Sequence, residues 1–135
     1  MHIVDDFADL GYNSARINTW KVESKADFLF YVDNETRNGF EYNEFPFDKV
    51  PADMPIVADM SSSLLTKPVD WRKYGVVFGS IGVANTCIVI VREDLLGKHS
   101  PETPTLLTWS AYANGAFPNT PNTWGIYLCS VYLSW

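Results

Sequence analysis

An α/β domain, built on a sheet buried on both faces, is the fold class this sequence predicts. Three observations carry the expectation. The runs Ile56 to Ala58, Gly75 to Phe78 and Thr86 to Val91 are almost continuously apolar, as strands covered on both sides are, whereas a one-sided sheet alternates. Pro46, Pro51, Pro55 and Pro68 punctuate the connections, each fixing φ and removing a backbone donor. The 135 residues, 47% hydrophobic and 15% aromatic, suit one core that buries roughly 68% of the unfolded surface.

Taken in order, residues 1–18 form a weakly patterned lead segment in which Asp5 to Leu10 predicts a short helix closed by Gly11. The run FLFYV after Asp27 reads as a strand. Polar residues Asp33 to Gly39 form a loop with Gly39 at a tight turn, and FEYNEF, 40–45, alternates as a second strand. Pro46, Pro51 and Pro55 bracket an irregular connection to the short strand Ile56 to Ala58, which ends at Asp59. The hydroxyl cluster Ser61 to Ser63 and the segment LLTKPVDWRKYG lead through turns to the strands at 75–78 and 86–91. Glu93 to Gly97 is a turn and Ser100 to Pro104 a proline-bracketed loop. Asn119 or Thr120 as N-cap, with Pro121 at the first helical position, predicts a final helix that runs apolar to Trp135 without a stop signal.

Composition excludes several classes. A formal charge of −6, from 16 acids against 10 bases, repels a phosphate backbone, so no nucleic-acid partner is expected. No apolar run reaches the ~20 residues of a membrane span, and MHIVDDFADL carries acids where a signal peptide has its basic region. A cytoplasmic protein is the expectation, and the sequon Asn34 to Thr36 is read as accidental. Cys87 and Cys129 lie in apolar runs and read as buried reduced thiols. His2 and His99 are isolated, so no metal site is expected. Nothing like a nucleophile elbow surrounds Ser61 to Ser63, which excludes a hydrolase triad with Asp59 and His99.

Five blocks in order carry a resemblance: FLFYVDNETRNGFEY at 28–42, VADMSSSLLTKPVDWRKYG at 57–75, IVIVREDLLG at 88–97, TPTLL at 103–107 and NTPNTWGIYLCSVYLSW at 119–135. Over 19–135 the chain resembles about the middle third of a phosphoserine aminotransferase. The resemblance implies a partial large domain of a fold-type-I pyridoxal phosphate (PLP) dependent transferase, with a mixed, mostly parallel sheet between helices, spanning 1–135 as a single domain. It implies amino transfer between phosphoserine and 2-oxoglutarate in serine biosynthesis, with PLP as cofactor. Thr36 matches the threonine at the cofactor ring and Asp59 the acid that pairs with the pyridine nitrogen, a carboxylate that keeps the ring an electron sink. Asn119 and Thr120 match the pair that reaches the PLP phosphate of a neighbouring subunit, which implies a homodimer.

The departures are equally specific. Where the family carries Gly-Ala-Gln-Lys-Asn, this chain has only Gly79, Ser80, Ile81, Gly82 and Val83 before the strand at Thr86, about three residues fewer. The catalytic lysine is missing, and Lys67 and Lys73 match lysines outside the active centre. The upstream glycine-rich phosphate loop, its stacking tryptophan, the small domain and the substrate-binding histidine are also absent, with SAYANGAF around Tyr112 in the histidine's place. Without a positioned amine neither covalent PLP attachment nor amino transfer is expected, so no catalytic residue is assigned. The alternative is a non-catalytic interaction module, a pseudoenzyme that pairs with itself or with a full-length homologue.

Overall fold

The computed structural model describes residues 1–12, 14–82 and 86–134, with Asn114 described by its backbone alone. Among the described residues four strands form the central sheet, in the order β1 (Leu29–Val32), β4 (Ile56–Asp59), β5 (Val76–Ser80) and β6 (Cys87–Val91). β1, β4 and β5 run parallel, while β6 returns antiparallel to β5. The mixed, mostly parallel sheet thus matches the fold class implied by the resemblance. A separate hairpin, β2 (Asn34–Glu35) and β3 (Phe40–Glu41), projects between β1 and β4. One α-helix is present among the described residues, α1 (Thr123–Ser134). The remaining helical pieces are single 3-10 turns, such as Phe47–Lys49 and Trp71–Lys73.

Local sequence explains these elements. The predicted first turn is a 3-10 helix at Phe7–Leu10, where the Asp6 side chain accepts from the Ala8 amide and Gly11 closes it at φ 64°. Arg16 closes the lead segment on itself through Asp5 at 3.2 Å and Asp9 at 2.7 Å. Burial pushes the Asp5 carboxyl up, but hydrogen bonds from Arg16 and Trp20 outweigh it and hold it below its ordinary value.

The core lies on one face of the sheet, where Leu29, Tyr31, Ile56, Ala58 and Val77 meet the connections. Tyr31 stacks on Phe45 with centroids 4.0 Å apart and meets Tyr42 edge-on at 5.5 Å, the geometry that aromatic quadrupoles favour.

Four expectations need correction. FEYNEF is a strand only over Phe40–Glu41, because Tyr42 and Phe45 turn inward to the Tyr31 cluster and aromatic packing overrides the alternation. The second sheet face is covered only in part within this chain; Val76 is buried there, but Phe30 (52% exposed), Val32 (41%) and Val89 (40%) lie open. A continuous apolar run specifies two apolar faces without supplying the second layer. Cys87 is exposed on β6, whereas Cys129 is buried as expected, and both are free. The helix start moves to Asn122, whose side-chain oxygen accepts from the Gly125 amide at 3.1 Å. This is the N-cap to N3 geometry, so Asn119 and Thr120 precede the cap. Trp135 and Val83 lie outside the described residues.

Candidate functional site

Parallel β1 and β4 end side by side, Val32 opposite Asp59, and the C-terminal end of a parallel sheet is where ligand-facing side chains emerge. The Asp33 amide donates to the Asp59 carbonyl at 2.9 Å, holding the two strand ends together as their chains diverge. After β4 the chain turns at once through Ser61 to Ser63. One Asp59 carboxylate oxygen accepts from the Ser61 amide at 2.9 Å, an Asx turn that fixes the acid by its own backbone. Ser61 therefore supports the acid through its amide.

Gly79 makes this turn possible from the neighbouring strand. A Cβ there would stand 2.8 Å from the Met60 carbonyl group and 3.0 Å from the Ser61 nitrogen, so only glycine allows β5 to pass this close.

Thr36 reaches the same place from the other side. Its hydroxyl donates to the Ser62 hydroxyl oxygen in a short hydrogen bond, which brings the hairpin against the turn that follows Asp59. Thr36 and Asp59 are thus gathered through the serine turn. Asn119 and Thr120 are not part of that cluster: both are exposed, and among the described residues no hydrogen bond joins them to Thr36 or Asp59.

Beneath the site lies a polar cluster that the sequence reading missed. Asp33, 2% exposed, accepts from the Ser63 hydroxyl at 2.7 Å and the Tyr31 hydroxyl at 3.3 Å. Lys67 Nζ lies 3.1 Å from the same Asp33 oxygen that Ser63 contacts and 2.9 Å from Glu41, and donates to the Tyr42 carbonyl at 2.7 Å. Burial opposes the Lys67 charge, but hydrogen bonds to Glu41 and Asp33 overcome it and raise the ammonium above its ordinary pKa. Its hydrogen bond in turn lowers the Glu41 carboxyl. Burial raises the Tyr31 hydroxyl, as do its contacts with Tyr74 and Asp33, so Tyr31 stays protonated and can donate. An acid directly after the apolar run FLFYV, and a single lysine between two turn signals, were the signals available for finding this cluster.

The other lysine weighed from sequence, Lys73, sits over the Phe47 ring at 4.6 Å to its centroid, a cation–π contact. Neither lysine is hydrogen-bonded to Asp59, Ser62 or Thr36. Among the described residues no group of three or more His, Cys, Asp or Glu could hold a metal, and no helix is long and apolar enough to cross a membrane.

No family model matches the chain. Individual relatives do. A phosphoserine aminotransferase of Drosophila melanogaster is 42% identical over 125 residues, covering 89% of this chain and 34% of its own length. The solved phosphoserine aminotransferase of Bacillus circulans subsp. alkalophilus superposes over 99% of this chain and 38% of its own, with TM-score 0.90 and 29% identity. The chain is a homologue of the phosphoserine aminotransferases. It spans about a third of the length of the curated relatives it matches. A PLP-bound phosphoserine aminotransferase from Trichomonas vaginalis matches over 87% of this chain and 33% of its own, at TM-score 0.75 and 33% identity. Homology to phosphoserine aminotransferases therefore covers the strand ends, the hairpin and the serine turn together rather than one motif.

Proposed function

We propose that this chain is a partial, divergent relative of the phosphoserine aminotransferases that keeps the acid side of a PLP site and does not itself transfer amino groups. The observation that supports this reading is the engagement of the two lysines in the matching block 57–75: Lys67 is held by Asp33 and Glu41, and Lys73 lies over Phe47. The donor set around the serine turn suits noncovalent binding, with a carboxylate at a strand end and two hydroxyls beside it. It does not suit covalent attachment, for which an amine at that point would be needed.

In this reading Asp59 would hold the pyridine nitrogen protonated and Thr36 would contact the ring. Asn119 and Thr120 would reach the phosphate of a second subunit from their exposed positions. When bound, PLP supplies an electron sink for bonds at the α-carbon of an amino acid; the chain's own residues hold and orient the ring. Residues 1–135 are taken as one partial domain, acting as a homodimer or beside a full-length homologue in the cytoplasm, with serine biosynthesis as the ancestral setting.

The test is to titrate the purified chain with PLP, following quenching of tryptophan fluorescence, then to reduce with borohydride and weigh the protein. Saturable quenching without a covalent adduct is expected. A stoichiometric adduct on any lysine overturns the inactive reading, and absence of quenching removes the cofactor site.

A second reading, from the open sheet face and the exposed apolar side chains of α1, is a non-catalytic interaction module. Trp124, Tyr127, Val131 and Tyr132 are each at least half exposed, and apolar surface of this extent marks association sites.

A further inference from the structure

We propose that Lys67, Asp33 and Ser63 form a positioning clamp that locks the β2–β3 hairpin to the turn after β4 and so holds Thr36 beside the strand end that carries Asp59. The inference rests on the reading of Thr36 and Asp59 as cofactor-facing residues, but the clamp itself is argued from geometry.

The hairpin cannot place Thr36 unaided. Its two strands contribute two residues each, paired as Asn34 with Glu41 and Glu35 with Phe40, and an isolated hairpin of even ordinary length is marginal in water. Lys67 holds both of its legs. It meets Asp33 at the root of the outgoing leg, and Glu41 and the Tyr42 carbonyl on the returning one. Ser63 brings the third segment in, donating to the same Asp33 oxygen at 2.7 Å. Asp33 also receives the Tyr31 hydroxyl from the core face of β1, so three side chains, from Tyr31, Ser63 and Lys67, converge on one buried carboxylate.

Stability alone does not call for such a cluster. A buried ion pair replaced by well-packed apolar side chains is often neutral or stabilising, whereas charges that must meet in one geometry can fix which segments pair. The backbone at the clamp supports a placement role. Leu65, two residues before Lys67, holds φ at +67°, a conformation disfavoured for a branched non-glycine residue. Pro68 follows directly and restricts Lys67 to extended backbone. The turn is shaped to present one ammonium to one carboxylate. None of the three residues is argued to touch a ligand, so they are positioning residues.

The experiment uses the full 135-residue chain, comparing wild type with Lys67→Met, Lys67→Arg and the double variant Asp33→Asn/Lys67→Met, which leaves no uncompensated buried charge. Amide hydrogen exchange is measured over 34–41, 61–64 and the β5 strand, and PLP affinity is read by fluorescence quenching. In both methionine-bearing variants exchange over 34–41 should rise about tenfold while β5 is unchanged, and PLP affinity should fall about fivefold or more. Lys67→Arg should restore both, since arginine keeps the charge and the donors. Unchanged hairpin exchange in the double variant overturns the clamp, as does a rise shared equally by β5, which would mark general destabilisation. If wild type binds no PLP, the cofactor reading fails, and the exchange comparison still decides the clamp by the same criteria.

Discussion

Asp33 is buried with its charge, and the cost of that burial is offset by donors rather than by solvent. Every buried side-chain nitrogen and oxygen among the described residues has a hydrogen-bond partner, and Asp33 receives Ser63, Tyr31 and Lys67. Truncating it strands those donors together. Asp33→Ala should cost about 3 kcal/mol, read as a shift of the urea midpoint at constant slope; a loss below about 1 kcal/mol would contradict this account. Glu41 partners the same lysine from a side chain 39% exposed, where an ion pair is worth under about 1 kcal/mol, so Glu41→Gln should cost far less. The pH signature separates the two substitutions further. Glu41 has a lowered folded pKa, so its contribution is complete above its unfolded value and is lost as pH falls through the lower folded one. Glu41→Gln should therefore flatten part of the acid limb of the stability curve and leave the neutral region alone. The sequence showed Asp59 plainly, as an acid ending an apolar strand. Asp33 has the same setting, yet its neighbours in Asn34 to Gly39 make it read as loop, because burial of a charge depends on partners that lie 30 and 34 positions away.

Among the elements, the strands were legible and their company was not. Apolar runs bounded by proline and glycine located β1, β4, β5 and β6 to within a residue or two. The length of β3 was misjudged because alternation is shared by a strand and by a segment whose aromatics turn into a core. The start of α1 was misplaced by two or three positions because Asn119, Thr120 and Asn122 are all competent caps, and only geometry shows which oxygen reaches an N3 amide. The contact between β5 and the serine turn is equally invisible in one dimension, and it makes a direct prediction. Gly79→Ala places a methyl group against backbone atoms that cannot rotate away, so it should cost about 1–3 kcal/mol. The same substitution should raise amide exchange over 61–64, since the Ser61 amide that anchors Asp59 must shift. Wild-type stability and exchange in this variant would show that the turn has another position open to it.

At the scale of the whole molecule, the sheet has one face that carries the core and one that is only partly covered. The strands are apolar on both sides; on the second side, where Phe30 stacks near Phe78 at 6.5 Å, Phe30, Val32 and Val89 stay open to solvent within this chain. A groove of about 1010 Å³ also runs beside the free edge of β1, lined by Phe28, Phe30, Val22 and the lead segment. Phe30→Ser combined with Val89→Lys should reduce self-association in sedimentation velocity and weaken binding of a hydrophobic dye. The thermal midpoint should change little, because both side chains are already exposed; persistence of association would direct attention to α1 instead. The two borders of the sheet add a constraint of symmetry. On one side it ends at β1, a parallel strand, and on the other at β6, an antiparallel one, so its borders are unlike. Joining β1 to β1, or β6 to β6, relates two copies by a twofold axis and closes the assembly. Joining β6 to β1 repeats the same offer at each end, and unless rotation closes the ring such a contact grows as a filament.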